Sequence, residues 1–306
     1  MLYYQVEWHL KGTCIWITSL FGIVINVILI IKQLRNPKKY SSATILTTMI
    51  AVSGIGMTIM EQSTFLNEAI SPVTAPDWLW SLHKFTRTNY CPFLRTLFSY
   101  LIDFLMVSNC MNLYVLICRP QAKDLIMSKK MFAGGITCNL GLSALISSLV
   151  TKLEHDAHNE PGLSRLGDDN IKYIWIPTVV LVFIISFITF SSCVFFTYKI
   201  NWTLKKSIKF LQDSNATGNT IAAYKKIIKF STIICAIFVG YNFLIRILEM
   251  SCFIIRYTEI TGMNDLVSYS FDKTVHLMNT MNTMKYSINI IICFKPFCYG
   301  VAFMVL

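Results

Sequence analysis

Asp103 and Lys285 are the residues of this sequence whose chemistry most needs a reason. Each sits deep inside a long apolar run. Asp103 follows Cys91 by twelve residues, about 18 Å along a helix at roughly 1.5 Å per residue. Lys285 follows Phe271 by fourteen, about 21 Å on the same measure. An ionisable group at such a depth is costly unless it is paired or faces a polar cavity. Opposite sign and similar depth predict an ion pair between the two. The plainer alternative is that Lys285 snorkels outward or faces a polar cavity alone.

Other polar groups gather near the far ends of the same runs. Arg246 and Glu249 are three residues apart on one helical face, the spacing of a local salt bridge, although Arg246 in a cavity would bind an acidic group. Arg95 invites the same two readings. Asp272, Lys273 and His276 open the last apolar run and are placed at the same mouth. An apolar cavity with a few polar groups is the default ligand site between bundled helices. The candidates for it are Tyr100, Asp103, Tyr241, Asn242, Arg246 and His276, set against the ordinary role of aromatic residues as packing. The ten cysteines form no CxxC pair and no metal-ligand spacing, and most read as small buried hydrophobes. No cofactor and no metal are expected. Neither GxSxG, nor a His-rich pattern, nor a pair of intramembrane aspartates is present, so an enzyme is not expected.

The elements that must hold these residues are membrane helices. Of the 306 residues, 54% are hydrophobic and only 14% charged, against roughly 25% charged in an average soluble domain. A soluble chain of this size must cover its core with charge, which this one lacks over most of its length. A spanning helix needs about 20 mostly apolar residues, and seven such runs occur, at 13–32, 43–61, 91–118, 131–151, 173–199, 227–253 and 271–294. The fold expected is an all-α bundle of seven transmembrane helices in a single domain, 1–306. No cleavable signal is evident, and the first run reads as a signal anchor.

Lysine and arginine set the orientation. The segments 32–42, 119–130 and 199–229, together with Lys295 after the last run, carry sixteen; the opposite segments carry seven. This predicts a cytosolic C-terminus and an N-terminus outside. Trp8, Trp78, Trp80, Trp175 and Trp202 fall at the edges of the runs, where amphipathic rings favour the interface. The segment 152–172 is acidic and reads as an outer loop, and Gln212 to Thr220 reads as the tip of an inner one. The net charge of +11 lies in short segments rather than on one continuous basic face, so no nucleic-acid partner is expected. The sequons at Asn201 and Asn215 fall on the cytosolic side and are expected to stay unmodified.

The layout resembles the rhodopsin-like G-protein-coupled receptors. The first run carries Gly22 and Asn26 in GIVINVILI, similar to the family's buried helix-1 asparagine. LRNPKKYSSATIL has the rhythm of its first inner loop. NLYVLICRP, 112–120, resembles the Asp-Arg-Tyr stretch, and Ser287 and Asn289 fall where the family has Asn-Pro-x-x-Tyr. The sequence departs from that pattern at Ser53 for the helix-2 aspartate, Asn112 and Leu113 for the Asp-Arg pair, Tyr241 to Leu244 for Cys-Trp-x-Pro, and Ile290 and Cys293 for the helix-7 proline and tyrosine. The second outer loop has no cysteine, leaving Cys91–Cys252 as an unusual alternative bridge. Such losses are common in divergent chemosensory receptors, and the chain resembles an atypical rhodopsin-like receptor similar to invertebrate chemosensory or small-peptide receptors.

The resemblance implies a plasma-membrane receptor. It would bind an extracellular small molecule or short peptide and couple to a heterotrimeric G protein, with Asn112, Leu113, Tyr114, Lys225, Lys226 and Lys229 facing that partner. Attraction to anionic lipid explains the lysines equally well. The resemblance also implies that an Asp103–Lys285 pair would stand in place of the family's sodium site. The alternative function is a transporter or channel using Asp103 and Lys285, against which stands the absence of internal repeats, broken helix pairs and a filter-like loop.

Overall fold

The computed structural model describes residues 2–35, 41–69, 91–122, 128–159, 176–213, 218–264, 291–292 and 294–304. Within these the chain is helical, without strands. Six long helices follow one another: α1 Leu2–Leu34, α2 Ser42–Ala69, α3 Cys91–Cys118, α4 Lys129–Asn159, α5 Ile176–Asp213 and α6 Gly218–Asn264. A further helical segment, 294–304, is labelled α7. All six long helices contain a stretch long and apolar enough to cross a membrane, so the chain is a multi-pass membrane protein. The first four stretches match the first four apolar runs to within two residues, whereas the fifth, Val180–Asp213, and the sixth, Gly218–Ile245, overlap the runs 173–199 and 227–253 with their ends displaced by seven to fourteen residues. The acidic segment beginning at 152 is not all loop, because α4 continues to Asn159.

Helix ends follow local chemistry. Ser41 accepts a hydrogen bond from the Thr44 amide (3.3 Å), and Ser128 accepts one from the Met131 amide (3.4 Å). Both serines thus cap the first turn of their helices. Pro120 follows the end of α3 and opens a short 3-10 turn, Pro120–Ala122, as expected of a residue that blocks helix continuation.

The faces are arranged for lipid. On α1 the buried positions are Ile15, Ser19, Asn26 and Leu29, whereas Ile17, Leu20, Phe21, Val24 and Ile28 are exposed. The polar Ser19 and Asn26 turn inward with Ile15 and Leu29, and the outward positions are large and apolar, unlike the polar outer face of a soluble helix. The same holds on α5, where Phe183, Ile184, Phe187 and Phe195 are exposed but Cys193 and Thr197 are buried. Serine and threonine hydroxyls inside the helices donate back to carbonyls one turn earlier, as Thr58 does to Gly54 and Ser147 to Ser143. This satisfies them where no water is present.

Buried side chains cover most of the circumference of α3, from Leu101 to Met106 without a break. It packs against α2, α4 and α5 and is the axis of the bundle. Interhelical polar bonds pin its neighbours: Asn139 on α4 donates to Ser108 on α3 (2.8 Å). On the α5–α6 seam, Asn201 donates to Thr232 (2.9 Å) and accepts from Ser231 (2.7 Å). Bonds of this kind, rather than the hydrophobic effect, specify helix contacts in lipid. α7 lies against α1 and α2 through small residues. A Cβ on Gly54 would come within 3.2 Å of Pro296, and one on Gly300 within 2.5 Å of Ile25.

Candidate functional site: a buried charge pair at the bundle axis

Asp103 does form an ion pair, but with Lys295. Lys295 Nζ lies 2.5 Å from Asp103 Oδ1. Asn242 joins both partners: its amide nitrogen donates to Asp103 Oδ1 and its carbonyl oxygen accepts from Lys295 Nζ, each at 3.3 Å. Three helices thereby meet at one point, α3 through Asp103, α6 through Asn242 and α7 through Lys295. Lys295 is 1% exposed and Asp103 5%, so both charges are out of reach of solvent. The close ammonium–carboxylate contact is what makes such burial tolerable. Lys285, the partner expected from depth alone, lies outside the described residues.

The pair corrects two sequence readings. Lys295, placed after the last span among the cytosolic charges, is inside the bundle. The helix containing it continues to residue 304, so the chain re-enters apolar packing beyond the boundary drawn at 294. The missed signal is the stretch FKPFCYGVAFM, 294–304, which is apolar apart from one lysine. Beside the charged loops it reads as a tail, but it forms the last part of a packed helix. Asn26 on α1 donates to the carbonyl of Pro296 (3.1 Å) and also to its own Gly22 carbonyl (2.8 Å). The helix-1 asparagine is thus attached to the residue immediately after the buried lysine. Tyr299, one turn on, is also buried.

The ligand-site candidates divide between two places. Tyr100, Asp103 and Asn242 line one cavity with Phe104, Ile185, Ser186 and Thr189, of about 10 Å³. This is room for about one water. Tyr241 faces elsewhere: its hydroxyl is 3.0 Å from the Cys298 thiol, and it lines an apolar cleft of about 290 Å³ with Leu244, Ile291 and Phe294. The side chains of Arg246 and Glu249, and all of His276, lie outside the described residues. Arg95 meets Glu61 on α2, a buried carboxylate, at 3.6 Å, a partner that sequence spacing alone did not show. Cys91 is a buried free thiol; the side chain of Cys252, its suggested partner, lies outside the described residues.

The residues expected at an inner partner surface are also sorted. Asn112 is buried and accepts a hydrogen bond from Ser42 on α2 (3.0 Å); it ties two helices and does not project outward. Leu113 is half-buried, and Tyr114 packs on Phe196 of α5 with ring centroids 5.4 Å apart. Lys225, Lys226 and Lys229 are exposed on α6. Among the described residues no group of three or more histidine, cysteine, aspartate or glutamate side chains could hold a metal ion.

No protein-family model and no curated protein matches the chain.

Proposed function

We propose that the chain is a divergent rhodopsin-like receptor of the plasma membrane, with seven spans, its N-terminus outside and its C-terminus cytosolic. The observation that carries this reading is the attachment of Asn26 to Pro296 beside the buried Lys295. Residues 295–299 read Lys-Pro-Phe-Cys-Tyr. They are similar to the family's Asn-Pro-x-x-Tyr at its proline and tyrosine, a better correspondence than Ser287 and Asn289. The helix-1 asparagine and the helix-7 proline then occupy the places that the resemblance implies. Lysine replaces asparagine, and its charge is met by Asp103 on α3 in a bundle whose helix-2 position is the neutral Ser53.

In this reading an extracellular small molecule or short peptide binds in the outer half of the bundle, near Tyr100 and the α5 hydroxyls of Ser186 and Thr189. The Asp103–Asn242–Lys295 contact is a latch between α3, α6 and α7. A ligand acts only by favouring one of two helix packings over the other, and the latch is the contact whose strength sets their balance. The heterotrimeric G protein would meet the inner ends of α3 and α6, with Tyr114 and Lys226 in reach. A transporter is the second reading, favoured by the water-sized cavity beside Asp103.

The test is a second-messenger assay in cells expressing the chain at the surface with a panel of chimeric G proteins. Asp103→Asn and Asn242→Ala are expected to raise ligand-independent signalling by weakening the latch. Unchanged silence of both variants at wild-type surface density, together with proton or cation flux in vesicles that Asp103→Asn abolishes, would replace the receptor by the transporter.

A further inference from the structure

The ends of α5 and α6 nearest residue 214 enclose an open cleft of about 390 Å³. Lys205 and Lys209 line it from α5, one helical turn apart, and Lys225 and Lys229 line it from α6, again one turn apart. Its floor is apolar, made by Ile208 and Ile228. Four lysine side chains therefore line one shared space from two helices. Between residues 199 and 229 the seven lysines are opposed by a single acidic residue, Asp213.

We propose that this cleft binds the headgroup of a polyphosphorylated inositol lipid. Four ammoniums on two walls match a ligand with several phosphates, because each pair of lysines engages a different phosphate and the ligand bridges the helices. A singly charged headgroup would satisfy one wall and leave the other repelled. The source is a lipid and not a soluble phosphate because the surroundings are those of a membrane boundary. Phe210, 72% exposed, and Trp202, 54% exposed, stand on α5 beside the cleft. Lys199 and Lys206 each lie 5.8 Å from the Trp202 ring, an aromatic–cation cluster that favours headgroup depth. Basic clusters at this depth attract anionic lipid; the two-walled arrangement adds selectivity for a multivalent headgroup. Lys226, exposed but outside the cleft, is left for other contacts. The proposal rests on the orientation above only for the leaflet in which the lipid lies.

The test uses the full chain purified into lipid nanodiscs, which expose both faces, so that the outcome is independent of orientation. Discs contain phosphatidylcholine alone, or with phosphatidylinositol bisphosphate, or with phosphatidylserine at equal total charge, and bound lipid is counted by native mass spectrometry. Topology is read separately, by protease access to terminal tags in sealed cells. The expected result is saturable retention of the bisphosphate lipid over charge-matched phosphatidylserine. Retention should weaken on the order of 30-fold in each of K205Q/K209Q and K225Q/K229Q, and stay unchanged in K129Q/K130Q, whose exposed lysines begin α4. A monodisperse gel-filtration peak for each variant separates lost binding from lost folding. Equal retention of phosphatidylserine, or no loss in either cleft variant, overturns the proposal. Displacement of the lipid by free inositol trisphosphate at equal concentration assigns the cleft to a soluble ligand and overturns the lipid source.

Discussion

Removing Lys295 should be among the most damaging single changes to this bundle. In Lys295→Met the apolar stem is nearly preserved and the ammonium is lost. Asp103, 5% exposed, is then left with the Asn242 amide and no counter-charge. Breaking a buried pair in this way costs about 3–5 kcal/mol, most of it the penalty of an uncompensated buried charge. For a chain of this size that corresponds to a fall in apparent Tm on the order of 10 °C. Asp103→Asn strands the ammonium in turn and should cost a similar amount. The double variant Asp103→Asn/Lys295→Met has no buried charge, and is expected to recover most of the loss, to within about 1–2 kcal/mol of wild type. The assay is thermal denaturation of the detergent-solubilised chain, followed by a thiol-reactive dye or by loss of the monodisperse peak. Near-additive losses, with the double variant at the sum of the singles, would refute the pairing. So would a loss below about 1 kcal/mol for each single change, because that is the range of an exposed salt bridge. Lys285→Met, in contrast, leaves the Asp103 contact intact and should not reproduce the Lys295→Met shift.

Two other outcomes follow from packing. Gly300→Ala places a Cβ 2.5 Å from Ile25 Cγ2 and should cost about 1–3 kcal/mol by overpacking; Ile25→Ala in the same chain should restore the Tm, and absence of rescue would mean that α7 does not seat on α1 there. The thiols of Cys110 on α3 and Cys193 on α5 are 3.5 Å apart. A short approach to the roughly 2.05 Å of a disulfide would cross-link them under copper-phenanthroline oxidation. The joined peptides should appear by mass spectrometry and vanish in Cys193→Ala, and efficient oxidation without that cross-link would contradict the α3–α5 register.

The first six spans were legible because hydropathy is a local property. Twenty apolar residues in a row must be helical in lipid whatever lies beside them, and α2, α3 and α4 begin within two residues of the runs read from sequence. Asp103 was also legible as a residue in need of a partner, since the cost of a buried charge does not depend on which neighbour relieves it. The lysine that relieves it was not. Lys285 and Lys295 differ by about 15 Å along a helix, and only the packing of α7 against α1 and α2 selects between them. The tight approaches at Gly54 and Gly300 fix that packing, and they join residues more than two hundred positions apart in the chain. Rotation separated the candidate ligand residues in the same way. Tyr241 and Asn242 are adjacent in sequence, yet one faces Cys298 and the other Asp103, because neighbouring side chains on a helix diverge by about 100°. Composition and periodicity thus determined that this protein is a bundle of membrane helices carrying a buried acid. Which helices close on that acid was decided by tertiary structure alone, because depth along a helix is written in one dimension and contact requires three.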